Sequence, residues 1–340
     1  MANDNSPRQK VIIDTDFGFM NDDCTTSLFA LRSARLDVLG LTIVAGNYSQ
    51  QQGLADALRI CELTGYPDLP VCQGAEFPLV HERGTYEDQV WGKYGTSDPL
   101  TYEMGPPETK KPHPLHAANF IVEQVRRYPG QVILAAIGPL TNLALALRLA
   151  PDITHKVKRA VIMGGAIGVL PDGHGNITPS AEFNFWVDAE AARIVLRSSM
   201  PITLMPLNIA RRTRFSHQEY RRITAASNPV SELFKSFLGP YFENAELDKK
   251  SPRLFYALCD QVVIASIIQP DLIKTIDMCV DVDISHTLAY GTSYGYVRGA
   301  YAPGSEQWPI EDGSPIIQVI SDLDVERFLD VYIDALTNSK

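Results

Sequence analysis

Short runs of apolar residues alternate with amphipathic helical stretches over most of this chain of 340 residues. The runs at residues 11–13, 38–44 and 131–137 predict buried strands, and the stretches between them predict helices. This βαβ rhythm is typical of a parallel sheet that carries helices on both faces. We therefore predict an α/β fold with a mostly parallel, open central sheet flanked by helices. The other predicted strands are 71–72, 158–163 and 202–206, and the predicted helices are 22–34, 55–63, 115–127, 141–149, 189–198 and 324–336.

The domain organisation follows from the absence of repeats, low-complexity runs and linkers in the sequence. We predict a single domain over residues 1–340, with residues 1–10 flexible. Residues 81–114 are rich in Gly, Pro, Tyr and charge, which predicts a long surface loop region. Long loops of compact domains are often functional.

Composition narrows the classes of partner and the cellular location. The chain has 40 acidic and 30 basic residues, a formal net charge of −10 and a pI near 5.2. This balance argues against binding to nucleic acid or to an anionic membrane. Five scattered cysteines without a CxxC pair indicate reduced thiols, and the first ten residues lack the apolar core of a signal peptide. We expect a cytoplasmic protein.

Acidic side chains are concentrated where the first predicted strand ends. Asp14, Asp16, Asp22 and Asp23 lie within ten positions, and no His or Cys ligand pattern accompanies them. Carboxylates that share a cavity repel one another, and a bound cation relieves the repulsion. An all-oxygen set suits Ca²⁺ or Mg²⁺ better than zinc. A single aspartate here would be read as a helix or turn cap, but four together predict a site.

Further polar motifs follow the later strands in a fixed order. Residues 14–23 read Asp-Thr-Asp-Phe-Gly-Phe-Met-Asn-Asp-Asp, residues 42–47 Thr-Ile-Val-Ala-Gly-Asn, and residues 138–142 Gly-Pro-Leu-Thr-Asn. Residues 162–166 read Ile-Met-Gly-Gly-Ala, and residues 175–184 Gly-Asn-Ile-Thr-Pro-Ser-Ala-Glu-Phe-Asn. In this order the chain resembles the nucleoside hydrolases of the inosine-uridine type over almost its whole length. The family signature Asp-x-Asp-Pro-Gly-x-Asp-Asp is altered, because Phe17 replaces the proline and two extra residues precede the Asp pair.

The resemblance implies a Rossmann-like open sheet and hydrolysis of ribonucleosides to free base and ribose. It implies a calcium ion held by Asp16, Asp23, Asp260 and the main-chain carbonyl of Ile137. Asp16 also matches the general base for a metal-bound water, and Asp14 matches a supporting residue. Family members form homodimers or homotetramers, which we expect here as well. The residues that match substrate contacts are Asp22, Asn47, Met163, Asn176, Glu182 and Asn184.

The group that protonates the leaving base is the main departure from the family. Many members have a histidine immediately before the late aspartate, where this chain has Cys259. A thiol is a poor proton donor unless its pKa is tuned, so Cys259 is equally well a small buried residue. Phe183, Trp186, Trp91 and Tyr94 are candidates to stack on the base, with Phe183 favoured and Trp186 better explained as core. The loop residues His81 and His174 and the basic run at 211–214 are weaker candidates.

Three alternatives to an ordinary ribonucleoside hydrolase stay open at this point. The same chemistry could act on a modified or cofactor-derived ribosyl compound. Aspartates at strand ends also occur in metal-dependent phosphoesterases. The missing histidine is compatible with a non-catalytic protein that binds a nucleoside or ribose. A panel of nucleosides with and without a chelator distinguishes these alternatives by their products.

Overall fold

The computed structural model describes residues 7–80, 106–243, 258–297 and 315–338. Within these ranges the chain forms one sheet of nine strands in the order β3-β2-β1-β4-β5-β6-β9-β7-β8. The strands are β1 Gln9–Thr15, β2 Leu36–Ile43, β3 Val71–Gln73, β4 Val132–Ala136, β5 Arg159–Met163, β6 Ile202–Met205, β7 Ile273–Val282, β8 Ser293–Tyr296 and β9 Ile317–Leu323.

Seven of these strands run parallel, and β7 and β8 are antiparallel to their neighbours. This arrangement confirms the predicted α/β fold with a mostly parallel sheet. The helices are α1 Asp22–Arg32, α2 Gln50–Leu63, α3 Ala117–Arg127, α4 Thr141–Leu149, α5 Phe183–Val187, α6 Ala189–Leu196, α7 Leu207–Ala210, α8 His217–Thr224, α9 Pro229–Leu233, α10 Gly239–Phe242, α11 Gln261–Ile268 and α12 Val325–Thr337.

Alternate side chains of the central strands enter two separate hydrophobic cores. Ile13 of β1 packs in a core with α1, α2, α11 and α12, whereas Ile12 packs on the other face with α3, α4 and α6. Successive residues of a strand point to opposite faces, so both faces of β1 must be apolar. The continuous apolar run that predicted this strand is the direct result.

The order of the strands reverses between β1 and β4. From β1 the chain moves to β2 and β3 on one side, and it then returns to place β4 on the other side. The carboxyl ends of strands that flank such a reversal leave a crevice in which ligands bind in open α/β sheets. The loop after β1 contains Asp16, and the loop after β4 begins at Ile137.

Some elements begin earlier than predicted, and others were not predicted. Strand β1 begins at Gln9, two residues earlier than expected, and α2 begins at Gln50 behind the N-cap Ser49. The antiparallel strand β7 was not predicted, since only its second half is mostly buried and it shows no clean alternation. None of the helices in the described ranges has the length and apolar character that crossing a bilayer requires.

The predicted surface loop region at 81–114 lies partly outside the described residues, which resume at 106. The described end is attached to α2, because the Glu62 carboxylate accepts hydrogen bonds from the backbone amides of Glu108, Thr109 and Lys110. The Lys110 ammonium group donates to the carbonyls of Pro67 and Leu69. The expectation of a single domain over residues 1–340 stays a prediction.

Candidate active site

A cleft of about 280 Å³ opens at the carboxyl ends of the central strands. Eleven of the residues that the sequence predicts for the site line it, and they come from segments far apart in the chain. They are Asp22, Asp23, Asn47, Ile137, Met163, Asn176, Glu182, Phe183, Asn184, Cys259 and Asp260, and Ile177 also lines the cleft. Ile137 was nominated for its carbonyl alone, and Ile177 was missed because an isolated isoleucine in a polar loop gives no signal.

Three carboxylates form the acidic wall of the cleft. Asp22, Asp23 and Asp260 each present an oxygen atom within 4.8 Å of the other two. Asp22 and Asp23 begin helix α1, where the positive end of the helix dipole favours negative charge. Asp260 precedes α11 and makes no capping hydrogen bond, so its carboxylate is not used by the helix. Gln261 Nε2 donates to the Asp22 carbonyl at 3.2 Å and joins the two helices.

Asp16 lies next to this group but outside it. The backbone amide of Asn47 donates to Asp16 Oδ2 at 2.7 Å. Asp16 Oδ1 is buried and accepts no hydrogen bond from an amide or hydroxyl group of the described residues, while the carboxyl group of Asp23 lies within hydrogen-bonding reach of the Asp16 carboxyl. Gly46 and Gly138 make this packing possible, since a Cβ at either position would lie under 3 Å from the Asp16 side chain. Asp16 is therefore held in one orientation beside Asp23, and it does not itself line the cleft.

Asp14 is held behind the cleft and does not line it. Its Oδ1 accepts hydrogen bonds from Thr42 Oγ1 at 2.5 Å and from Asn142 Nδ2 at 2.8 Å. Asn142 Oδ1 in turn accepts from the backbone amide of Ala75 at 2.8 Å. These bonds connect the ends of β1, β2, β3 and β4, and the supporting role of Asp14 stays a prediction.

Burial raises the pKa of every carboxyl group in this region. The pKa of Asp16 rises to about 6 and that of Asp22 to about 6, in both cases mainly through burial. The pKa of Asp23 and that of Asp260 rise well above the usual range, because neighbouring aspartates repel the charge in addition to burial. Close carboxylates of this kind share protons or bind a cation.

The donor set fits a hard divalent cation. All side chains of the acidic group offer oxygen, and the buried Oδ1 of Asp16 lacks a donor. Oxygen ligands of this type suit Ca²⁺ or Mg²⁺. The carbonyl of Ile137 faces the same cleft and accepts one hydrogen bond, from Asn184 Nδ2 at 3.1 Å. A carbonyl oxygen has a second lone pair, so it can still act as a ligand.

Glu182 and Asn184 also line the cleft and are held by helix α5. Glu182 caps helix α5, because its carboxylate accepts from the amides of Asn184 at 2.9 Å, Phe185 at 3.3 Å and Gly165 at 2.8 Å. Burial raises the pKa of Glu182 to about 7. Asn176 Oδ1 accepts from the backbone amide of Phe183 at 2.9 Å, which fixes its position at the cleft.

Cys259 is half-buried beside the acidic group. Burial and the nearby carboxylates of Asp22 and Asp260 raise the pKa of its thiol well above the usual value. The thiol is therefore neutral at pH 7, and it is no nucleophile or general base in this state. The five cysteines are all free thiols.

The weaker candidates lie elsewhere. His174 does not line the cleft, and its Nδ1 lies 3.0 Å from the carbonyl of Gly175. Trp186 packs against Val187, as expected for a core residue. Of the basic run, Arg211 binds loop carbonyls, while Arg212 pairs with Asp322 at 2.8 Å. His81, Trp91 and Tyr94 lie outside the described residues.

Fold and site together define an α/β protein with an acidic, oxygen-lined cleft at the reversal of its strand order. A family model described as inosine-uridine preferring nucleoside hydrolase matches residues 11–330. The chain belongs to this family. It is thus an enzyme of the class that hydrolyses N-glycosyl compounds.

Individual relatives agree with this assignment. The chain is 34% identical over 319 residues to uridine nucleosidase 1 of Arabidopsis thaliana, covering 89% of each chain. It is 33% identical over 288 residues to the pyrimidine-specific ribonucleoside hydrolase RihB of Escherichia coli, covering 84% of this chain and 86% of the relative. Among solved structures, the plant nucleoside hydrolase PpNRh1 superimposes with a TM-score of 0.82 at 26% identity, covering 98% of this chain and 100% of the other.

Proposed function

We propose that this enzyme is a calcium-dependent hydrolase of the N-glycosidic bond of ribonucleosides, with Asp16 as its general base. The observation that carries the proposal is the composition of one cleft. The acidic group of Asp22, Asp23 and Asp260 lines it together with the amide and carboxylate groups of Asn176, Glu182 and Asn184. A polyhydroxylated pentose requires both kinds of partner.

We propose that the calcium ligands are Asp16, Asp23, Asp260 and the Ile137 carbonyl, and that Asp22 lies beside them. When bound, calcium supplies a Lewis acid that orients the ribose hydroxyls and lowers the pKa of the attacking water. Asp16 would accept a proton at Oδ1, because its Oδ2 already accepts from the amide of Asn47.

The residues that we propose for substrate binding contact the sugar. Asp22, Asn47, Asn176, Glu182 and Asn184 hold ribose hydroxyls, and Met163 packs against the ring. An amide side chain both donates and accepts, so it can bind a hydroxyl in one defined orientation. The ribosyl group becomes positively charged as the base departs, and the surrounding carboxylates stabilise that charge. Attack opposite the base gives inversion at the anomeric carbon.

Two apolar side chains, Phe183 and Ile177, also line the cleft, and we propose that they pack against the departing base. The names of the Arabidopsis and E. coli relatives support pyrimidine ribonucleosides, and uridine first, as the substrates to test. The experiment is product analysis with uridine, cytidine, inosine and adenosine. Formation of free base and ribose supports the proposal, and formation of phosphate from nucleotides without free base contradicts it.

Location and assembly are proposed on separate grounds. The five free thiols favour a reducing compartment, which supports the cytoplasm. A homodimer or homotetramer rests on the resemblance to the family, and light scattering after size exclusion tests it. The acidic net charge of −10 supports a small-molecule substrate without nucleic-acid or membrane partners.

A further inference from the structure

The loop between β5 and α5, residues 164–182, delivers three cleft residues without regular structure to support it. Asn176, Ile177 and Glu182 all belong to this loop and line the cleft. A local turn shapes its tip, where the Gly175 amide donates to the Pro179 carbonyl at 2.9 Å. Such a turn sets the shape of the tip, but it does not attach the tip to the body of the protein.

Asn208 of helix α7 attaches the first half of the loop. Its Oδ1 accepts from the Ile167 amide at 2.9 Å. Its Nδ2 donates to the Pro171 carbonyl at 2.7 Å and to the Ile167 carbonyl at 3.2 Å. Asn208 is buried, so these bonds are well shielded from water.

Arg211, at the C-terminal end of the same helix, attaches the second half. Its Nη1 donates to the carbonyls of Asp172 and His174, both at 2.6 Å, and its Nη2 donates to the Gly175 carbonyl at 2.8 Å. These three carbonyls come immediately before Asn176. Asp172 has a φ of 57°, in the left-handed region, and this reversal of the chain helps to turn the carbonyls toward one donor.

We propose that Arg211 is a positioning residue that holds Asn176 at the ribose side of the cleft. The inference rests on the proposed function for its effect on turnover. A guanidinium group has five donors in a rigid plane, so two of its nitrogens can serve three carbonyls at once in a fixed geometry. Without it, residues 172–175 lose three hydrogen bonds, and Asn176 is held only from its other side, by the bonds to the Phe183 amide and the Ala181 carbonyl. Its position at the cleft should then be less well defined. A misplacement of about 1 Å in a binding group can lower activity about 100-fold.

The matched pair of variants is Arg211→Met and Arg212→Met. Arg212 is the next residue along the chain, but its guanidinium donates to Asp322 Oδ1 and to the Leu323 carbonyl, away from the loop. We expect Arg211→Met to raise KM for a nucleoside, and the inhibition constant of a ribose-like inhibitor, by about 10 to 100-fold. Calcium affinity should stay unchanged in both variants, because Asp22, Asp23 and Asp260 belong to other segments.

Hydrogen exchange of the metal-free, ligand-free chain tests the attachment independently of turnover. Backbone amides at residues 172–177 should exchange faster in Arg211→Met than in Arg212→Met or the parent. Arg211→Lys serves as the conservative variant. Its exchange rates at residues 172–177 should lie between those of the parent and Arg211→Met, because one ammonium group replaces part of the donor set. Unchanged exchange and unchanged KM in Arg211→Met would overturn the inference. If the parent enzyme releases no base from nucleosides, the proposed function fails, while the exchange result still decides the role of Arg211.

Discussion

The backbone amide of Asn47 donates a 2.7 Å hydrogen bond to Oδ2 of Asp16, and it thereby fixes a carboxyl group that lies directly behind the acidic wall of the cleft. The second oxygen of Asp16 is buried and accepts no hydrogen bond from an amide or hydroxyl group in the described part of the chain, while the Asp23 carboxyl lies beside the Asp16 carboxyl. Two adjacent buried carboxyl groups are unfavourable in a folded protein unless a cation or a shared proton relieves their repulsion.

Replacing Asp16 tests its assignment as the general base. Asp16→Asn keeps the size and the bond from Asn47 but cannot accept a proton, so kcat should fall by about 10²- to 10⁴-fold. Folding stability should not fall, since the change removes a buried charge. Asp56→Asn is the control, because Asp56 is a buried aspartate on α2 that accepts a hydrogen bond from Gln52 and does not line the cleft. Full turnover by Asp16→Asn would defeat the assignment.

The ribose role of Glu182 has to be separated from its role as a helix cap. Glu182→Gln should lower affinity for a ribose-like inhibitor, and it should also destabilise the fold by about 1 kcal/mol through the weakened cap. Glu219→Gln is the matched control, because Glu219 accepts from the Ser216 amide in a capping box on α8, far from the cleft. The control should lose stability but keep affinity, as measured by thermal melting and inhibitor titration. Equal affinity in Glu182→Gln and the parent would count against ribose binding.

Cys259 should contribute little to the chemistry. Because burial and nearby carboxylates raise its thiol pKa well above the usual value, the thiol is neutral and a weak donor. Cys259→Ala should retain most of kcat in a steady-state assay with uridine. A decrease of several orders of magnitude would show that the thiol protonates the leaving base.

The free energy of unfolding of the metal-free chain should decrease as the pH rises. The pKa of Asp14 is raised to about 7, that of Glu182 to about 7 and that of Asp16 to about 6, all above their unfolded values. The folded state therefore binds more protons than the unfolded state, and stability falls as pH rises. Between pH 5.5 and 7.5 the loss should be about 2 kcal/mol or more.

Thermal melts in a chelator at pH 5.5, 6.5 and 7.5 measure this effect. Surface carboxylates such as Asp152, whose pKa is lowered by Arg126, are ionised in the folded and the unfolded state between pH 5.5 and 7.5. They therefore do not contribute to the pH dependence of stability. Calcium should reverse the trend, because its ligands must be deprotonated. A melting temperature that rises with pH in the chelator would contradict the prediction.

The sequence predicted the central sheet and most of the cleft because both depend on local signals. Strands such as β4 are buried on both faces, so they are continuous apolar runs, and the motifs after them place polar groups at one edge. β7 and Ile177 were not found, since their roles depend on neighbours distant in the chain. The role of Arg211 was also missed, because the sequence shows a basic run but not the loop carbonyls that Arg211 binds.

The grouping of the carboxylates also needed the structure. From the resemblance, Asp16 was expected in the metal set and Asp22 at the ribose. The tightest carboxylate group of the described residues instead contains Asp22, Asp23 and Asp260, with Asp16 beside it. Spacing along the loop at 16–23 cannot decide between adjacent aspartates, because the two extra residues alter the path of the chain. Both assignments therefore stay proposals.

Calcium titration of the metal-free enzyme, followed in parallel by calorimetry and by release of ribose from uridine, tests whether the acidic group binds a catalytic calcium ion. We expect one bound calcium ion per chain, with turnover restored in proportion to occupancy. Asp23→Asn and Asp260→Asn should each weaken binding strongly, because each removes a charged ligand from the group. Full turnover by enzyme verified to be free of metal, or unchanged calcium binding in both variants, would contradict it.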